Sequence, residues 1–244
     1  MGILSFLSKP EEEKVLSTRH PYYPTDLKLT NYTEPTHSTA VLLISFVIGL
    51  IVISGISLAV IIPKKTVESN HKPIFLWFII TGSIHFFFEG YFALYHENIA
   101  ENNGLFAQMW KEYALSDSRY LTSDPFVVIM ESITAVCWGP LSFLTAYAIY
   151  ENLPFRYTLQ IIVSLGQLYG LVLYYLTELM EGAAHCRPEA YYFWGYFFGV
   201  NFIWAILSVT LIRQGWHQIS NFAKNVVRKK DIGVSRELWV NVII

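Results

Sequence analysis

Five stretches of the chain are dominated by hydrophobic residues: roughly residues 40–62, 73–95, 125–150, 157–179 and 191–212. Each approaches or exceeds the ~20 residues that an α-helix needs to cross the hydrocarbon core of a bilayer. Helices are the expected spanning element, because isolated strands would leave backbone polar groups unpaired in lipid. The five runs are not alike. The first, VLLISFVIGLIVISGISLAVII, carries no ionisable residue and predicts a lipid-facing anchor. The other four carry Gln, Asn, Glu, His, Trp or Tyr at mid-depth. The pattern predicts an all-α, polytopic membrane protein with five transmembrane helices, a polar cavity within helices 2–5 and a peripheral first helix. Pro125 suits the first turn of its helix. Gly139-Pro140 falls inside that same helix and predicts a kink that widens the space between helices, since proline removes a hydrogen bond and crowds the preceding turn.

Between the second and third runs lie residues 96–124, long for an unstructured connection. Within them Trp110 and Tyr113 suit an interfacial belt, and the segment around them predicts a surface or re-entrant helix capping the cavity. The organisation expected is an N-terminal segment (1–39), a five-helix domain (40–213) and a basic tail (214–244) lying along the membrane surface. Lys64, Lys65, Lys72, Arg156, Arg213, Lys224, Arg228, Lys229 and Lys230 fall on one side of the five spans. The positive-inside rule makes that side cytosolic and the N-terminus lumenal. Asn31-Tyr32-Thr33 is then a glycosylation sequon on the lumenal side.

Composition narrows the function. Hydrophobic residues make up 53% of the chain and charged residues 15%, with a net charge of −2. That balance argues against a nucleic-acid partner. Cys137 and Cys186 are too few and too scattered for a disulfide framework or a metal site. No cleavable signal peptide is expected, because the apolar start at Met1–Phe6 runs directly into Lys9 and an acidic cluster. Phosphate-binding, zinc and hydrolase motifs are missing, so no cofactor is expected.

Ionisable side chains inside the apolar runs are the exception that carries chemistry. Each costs at least ~2.5–3.5 kcal/mol at the bilayer centre and is seldom present without a role. His85 and Glu89 are four residues apart and share a helical face. They form either a structural dyad or a proton donor, since burial and a neighbouring imidazole allow a proton to be held and relayed. Glu131 repeats the anomaly with Thr134 on its face. It is either a carboxyl satisfied locally by Thr134 or backbone, or a second carboxylate holding the opposite protonation state. Asn201 and Trp204, three apart, read as interhelical packing or as part of the site, where an indole face can stabilise a cation. Gln167, Tyr169, Tyr174 and Glu178 line the fourth span, with Gln167 expected between helices and Glu178 at the interface. Such a set is compatible with protonating a carbon–carbon double bond, stabilising the carbocation and removing a neighbouring proton. A proton path or a ligand-binding receptor would use the same residues.

Seven motifs occur in a telling order. They are His85-x-x-x-Glu89-Gly90, Trp110-Lys111-Glu112-Tyr113-Ala114, Asp117-Ser118-Arg119-Tyr120, Met130-Glu131-Ser132-Ile133-Thr134-Ala135, Trp138-Gly139-Pro140-Leu141-Ser142, Gly166-Gln167-Leu168-Tyr169-Gly170 and Asn201-x-x-Trp204. In this order they resemble the emopamil-binding protein family of sterol Δ8–Δ7 isomerases, from His20 to about Trp204. The resemblance implies a homodimer of the endoplasmic reticulum membrane. The implied reaction moves a sterol 8(9) double bond to 7(8) without a cofactor. The resemblance places the family's essential positions at His85, Glu89, Arg119, Glu131, Thr134, Asn201 and Trp204, all catalytic but Arg119. Arg119, Tyr113, Tyr120, Gln167 and Tyr174 are expected to bind substrate or support the site. The resemblance also implies binding of cationic amphiphilic amines that imitate the carbocation. A non-catalytic receptor for sterols or amines is the alternative within the same family.

Overall fold

The computed structural model describes residues 20–231, all of whose regular elements are helical. Five helical segments are long and apolar enough to cross a membrane: Thr39–Ile61, Ser69–Asn98, Pro125–Tyr150, Arg156–Met180 and Tyr191–Arg228. The protein is a multi-pass membrane protein. Its large exposed surface of Leu, Ile, Val and Phe is the surface such a bundle presents to lipid.

Helix α1 (Thr39–Ile61) begins at Ser38, whose side chain accepts from the Val41 amide as an N-cap. The second span consists of α2 (Lys72–Ser83), a π-helical segment (Ile84–Glu89) and α3 (Gly90–Tyr95). The connection that follows holds α4 (Leu105–Tyr113). The third span is α5 (Pro125–Ile133), capped by Asp124 on the Val127 amide, then a π-helical segment (Thr134–Trp138) and α6 (Gly139–Tyr150). Helix α7 (Arg156–Met180) is the fourth span. The fifth starts as a π-helical segment (Tyr191–Val200) and continues as α8 (Asn201–Asp231).

Three expectations are modified. At Gly139-Pro140 the third span answers the missing proline N–H with the wider π turn directly before it, and the helix runs on. Helix α8 continues through residue 213 to Asp231 with no break. The expected division at 213/214 is therefore not marked by a change of element, and a tail turning onto the membrane surface directly after Arg213 is not what this helix does. Residues 1–19 and 232–244, including part of each expected terminal segment, lie outside the described residues.

The expected capping helix is α4, but its aromatics are packed inside. Trp110 is 3% exposed. It stacks between Phe88, with centroids 4.5 Å apart, and Tyr120, at 4.9 Å. The segment before α1 lies against α4: the Gln108 side-chain carbonyl accepts from the Thr36 and His37 amides, each at 2.9 Å. Lys111 is fully buried and donates to the Thr33 carbonyl at 2.8 Å, the Thr33 hydroxyl and the Asn103 side chain.

Candidate active site

Tight backbone approach brings the second, third and fourth spans together. A Cβ at Gly139 would lie 3.0–3.2 Å from the Phe86 Cβ, amide nitrogen and Cα, so glycine lets the two π segments meet. A Cβ at Gly166 would lie only 2.4 Å from Trp138 Cζ2. Glycine there leaves room for that indole.

Around this junction lie two cavities. The smaller, about 90 Å³, is lined by His85, Glu89, Tyr120, Glu131, Thr134, Trp138, Gln167, Tyr174, Asn201, Trp204 and a few apolar neighbours. The larger, about 350 Å³, is walled chiefly by Leu42, Leu43, Phe46 and Leu50 of α1, Ile84 and Phe88 of the second span, Met109 and Trp110 of α4, and Val200 and Ile203 of the fifth. Glu89, Tyr120, Glu131, Asn201 and Trp204 line both. An apolar chamber therefore ends on a polar one, and the shared wall carries the carboxyl groups of Glu89 and Glu131. The first helix is peripheral to the other four but is more than an anchor, since one of its faces closes the apolar chamber.

His85 Nδ1 lies 2.7 Å from Glu89 Oε2, so the four-residue spacing does bring the pair together. On its other side, His85 Nε2 is 3.0 Å from the Thr81 hydroxyl and 3.0 Å from Gln167 Nε2. The Trp204 indole N–H donates to the same Thr81 hydroxyl at 3.0 Å. Gln167 thus belongs to the site, beyond simply joining helices. Thr81 went unnoticed in the sequence. It stands four residues before His85 on the same face, the spacing that marked Glu89, but a hydroxyl in an apolar run raises no energetic alarm.

Glu131 is 5% exposed and accepts from the Tyr120 hydroxyl at 2.5 Å. Thr134 does not orient it. The Thr134 hydroxyl donates to the Met130 carbonyl at 2.8 Å, as a threonine in a helix does when it bonds four residues back. Asn201 does not hold Glu131 either. Its side-chain amide donates to the Tyr113 hydroxyl and to the Phe197 carbonyl, each at 2.8 Å. Tyr113 and Tyr174 hydroxyls are 3.4 Å apart, a weak contact. Burial pushes the Tyr113 and Tyr120 phenols well above their ordinary range, so both stay protonated and available as donors.

Arg119 lines neither cavity and is 1% exposed. Its guanidinium forks onto Asp117, with Nη2 to Oδ2 at 2.7 Å and Nε to Oδ1 at 3.0 Å. It also reaches Thr177 at 3.2 Å and Glu178 at 3.3 Å, and sits 5.0 Å from the Tyr174 ring centre. Burial opposes its charge, but the hydrogen bonds and charge of Asp117, with Glu178, outweigh it and raise its pKa. Glu178 is fully buried rather than interfacial. Arg119 therefore fastens the Tyr120 loop to α7. Glu178, Glu181 and His185 bring donor atoms within 4.8 Å of one another, but the Arg119 charge on Glu178 disfavours a cation there.

Tyr169 is 64% exposed, on the outer face of α7. Cys137 is exposed and Cys186 buried, both as free thiols.

A family model, EXPERA (expanded EBP superfamily), matches residues 105–214. The chain is 41% identical over 208 residues to the 3-beta-hydroxysteroid-Delta(8),Delta(7)-isomerase of Rattus norvegicus, covering 83% of this chain and 89% of that protein. It is 34% identical over 203 residues to a probable 3-beta-hydroxysteroid-Delta(8),Delta(7)-isomerase of Arabidopsis thaliana, covering 82% and 89%. It is 35% identical over 210 residues to the protoglabretal synthase MOI1 of Citrus sinensis, covering 84% and 95%.

Proposed function

The chain belongs to the EXPERA family, the expanded EBP superfamily, and from that membership and its cavity we propose that it is a cofactor-independent sterol isomerase moving the 8(9) double bond to 7(8). The observation that carries this reading is the wall shared by the two cavities. It brings Glu89, Glu131, Asn201 and Trp204 to the end of an apolar chamber large enough to receive a lipid.

The reaction needs one proton delivered and one removed. The His85–Glu89 pair delivers a proton to C9, the 8(9) π bond supplies the electrons, and a tertiary cation is left at C8. Glu131, held by Tyr120, takes the proton from C7, and that C–H bond becomes the 7(8) double bond. No electrons are gained or lost, so no redox partner is required. The Trp204 indole, and the tyrosines around it, present negative ring faces to the cation in a chamber with little water, where such an attraction is worth up to about 2 kcal/mol or more. Both carboxyl groups stand beside the developing charge, and fixed charges in a dry site stabilise a transition state more than they would in water. Asn201 holds Tyr113, and Thr134 contributes to the cavity wall.

Cationic amphiphilic amines bind the same chamber with the ammonium where C8 becomes positive. The five-helix domain spans residues 40–213, between an N-terminal segment (1–39) and a C-terminal tail (214–244). It sits in the endoplasmic reticulum membrane with its N-terminus lumenal, an orientation supported by the loop charges. Homodimerisation follows from the resemblance alone.

The test is conversion by the purified full chain in liposomes of a Δ8-sterol, with the product separated from the substrate. Accumulation of the Δ7 isomer, with one solvent deuterium at C9 in heavy water, is the expected outcome. Saturable sterol binding with no conversion would instead make the protein a receptor.

A further inference from the structure

Thr81 behaves unlike the other hydroxyls of its surroundings. Ser83, Ser132, Thr134 and Ser142 each donate to the backbone carbonyl four residues earlier. Thr81, fully buried, is turned instead into a cluster of three side chains. An indole N–H can only donate, so Trp204 Nε1, at 3.0 Å, occupies one Thr81 lone pair. The Gln167 amide, at 3.1 Å, donates into the other. A hydroxyl then has only its proton left, and the remaining neighbour is His85 Nε2 at 3.0 Å. The Gln167 amide nitrogen also lies 3.0 Å from that ring nitrogen. A hydroxyl whose only remaining group is its proton makes Nε2 an acceptor. In the single-proton form of His85 the proton must therefore be on Nδ1, 2.7 Å from Glu89.

We propose that Thr81 and Gln167 are positioning residues that fix the His85 tautomer with its proton on Nδ1, aimed at Glu89, and tie that choice to the placement of the Trp204 ring. The consequence for catalysis rests on the isomerase reading; the tautomer itself does not. Gln167 also supplies a way for the pair to follow a proton. Its side-chain oxygen is buried with no hydrogen-bond partner among the described residues, so a half-turn of the amide gives up the Gln167 Nε2 bond to Thr81 in exchange for a new one at Oε1. The turn presents Oε1 to His85 Nε2, which is the acceptor that a doubly protonated ring needs. Donors facing the ring hold one state, and the turned amide holds the other.

The experiment uses the full chain labelled with nitrogen-15 in histidine only, reconstituted in detergent, with the His85 signals assigned by their loss in His85→Gln. The wild type is expected to show His85 protonated at Nδ1 and bare at Nε2. Thr81→Val keeps the shape and removes the hydroxyl. It is expected to give a mixture of tautomers and to lower kcat by about 10- to 100-fold, the range seen when an orienting partner of a functional histidine is lost, with KM for the sterol nearly unchanged. Thr81→Ser restores the hydroxyl and should restore both readouts. Gln167→Leu, should the valine variant fail to fold, is expected to loosen the tautomer in the same way. A wild-type ring protonated at Nε2 overturns the proposal, as does a Thr81→Val or Gln167→Leu protein that keeps both the single tautomer and full kcat. A wild type that converts no sterol sinks the isomerase reading, while its nitrogen spectrum still decides the tautomer.

Discussion

Glu131 is the residue at which a single substitution is most informative. It accepts from the Tyr120 hydroxyl, and a glutamine can accept that bond equally well. Glu131→Gln should therefore leave thermal stability close to wild type and lower the conversion rate by ~10²–10⁴-fold, the range expected for loss of a general acid or base; unimpaired conversion would remove Glu131 from the mechanism. Lys111 offers a prediction of a different kind. It is fully buried, among the described residues no carboxylate pairs with its ammonium, and burial lowers its pKa to about 8. Between pH 8 and the unfolded value of 10.5 the unfolded chain holds a proton that the folded one has lost. Stability from this group therefore rises with pH through that window, by up to about 1.4 kcal/mol per unit. Burial pushes the Cys186 thiol and the Tyr22 phenol up, and these act in the opposite sense, losing stability as pH rises. The difference in melting temperature between wild type and Lys111→Met isolates the lysine, and should shift in favour of the wild type between pH 8 and 10; a constant difference would count against it. The sequence makes His85, Glu89 and Glu131 visible because a charge in an apolar run is costly wherever it points. It leaves the burial of Arg119 and Glu178 unseen, since the contacts that tie the Asp117–Arg119 pair to Thr177 and Glu178 join residues 58 or more positions apart.

Four of the six candidate catalytic residues sit at departures from regular helix. His85 and Glu89 are in one π segment, Thr134 opens another, and Asn201 directly follows the third. A π turn shifts the register of every side chain after it, re-aiming residues that an unbroken α-helix would direct elsewhere, which is why such turns recur at functional sites. Hydropathy gives both ends of the first four spans and the start of the fifth to within a few residues, because each must satisfy the same membrane thickness, but not the end of the fifth, which continues into α8. It does not give the π turns. Proline signals a missing hydrogen bond but not whether the helix bends or widens in response, and the segments at Ile84–Glu89 and Tyr191–Val200 contain no proline at all. The meeting of two π segments at Gly139 is correspondingly sensitive. Gly139→Ala places a methyl group against the Phe86 backbone, which cannot step aside as a side-chain tip can. Overpacking of this kind costs about 1–3 kcal/mol. The variant should melt several degrees lower and lose activity, because the same displacement moves His85 and Glu89. A variant of unchanged melting temperature and rate would mean that the two spans separate freely.

On the scale of the whole molecule, the proposed reaction divides between the two cavities: the polar one carries the His85, Glu89 and Glu131 side chains that would move protons, and the apolar one offers the space for a hydrocarbon skeleton. Four of the five spans can build the first, but the second needs Leu42, Leu43, Phe46 and Leu50 of α1. A helix that is otherwise lipid-exposed along most of its length is thereby part of the substrate chamber. This role was hidden in the sequence because apolar residues facing lipid and apolar residues facing a sterol have the same chemistry. The arrangement separates binding from catalysis in a way that kinetics can read. Leu43 lines the chamber but makes no contact with the His85, Glu131 or Asn201 hydrogen bonds, and it is 42% exposed, so a larger side chain there has room to settle without opening the bundle. Leu43→Trp should occupy part of the 350 Å³ chamber and raise KM for the sterol about tenfold, the equivalent of ~1.4 kcal/mol of lost binding. It should leave kcat near the wild-type value, since an interaction made equally in ground and transition states affects KM alone. A fall in kcat with KM unchanged would place the sterol elsewhere and return α1 to the status of an anchor.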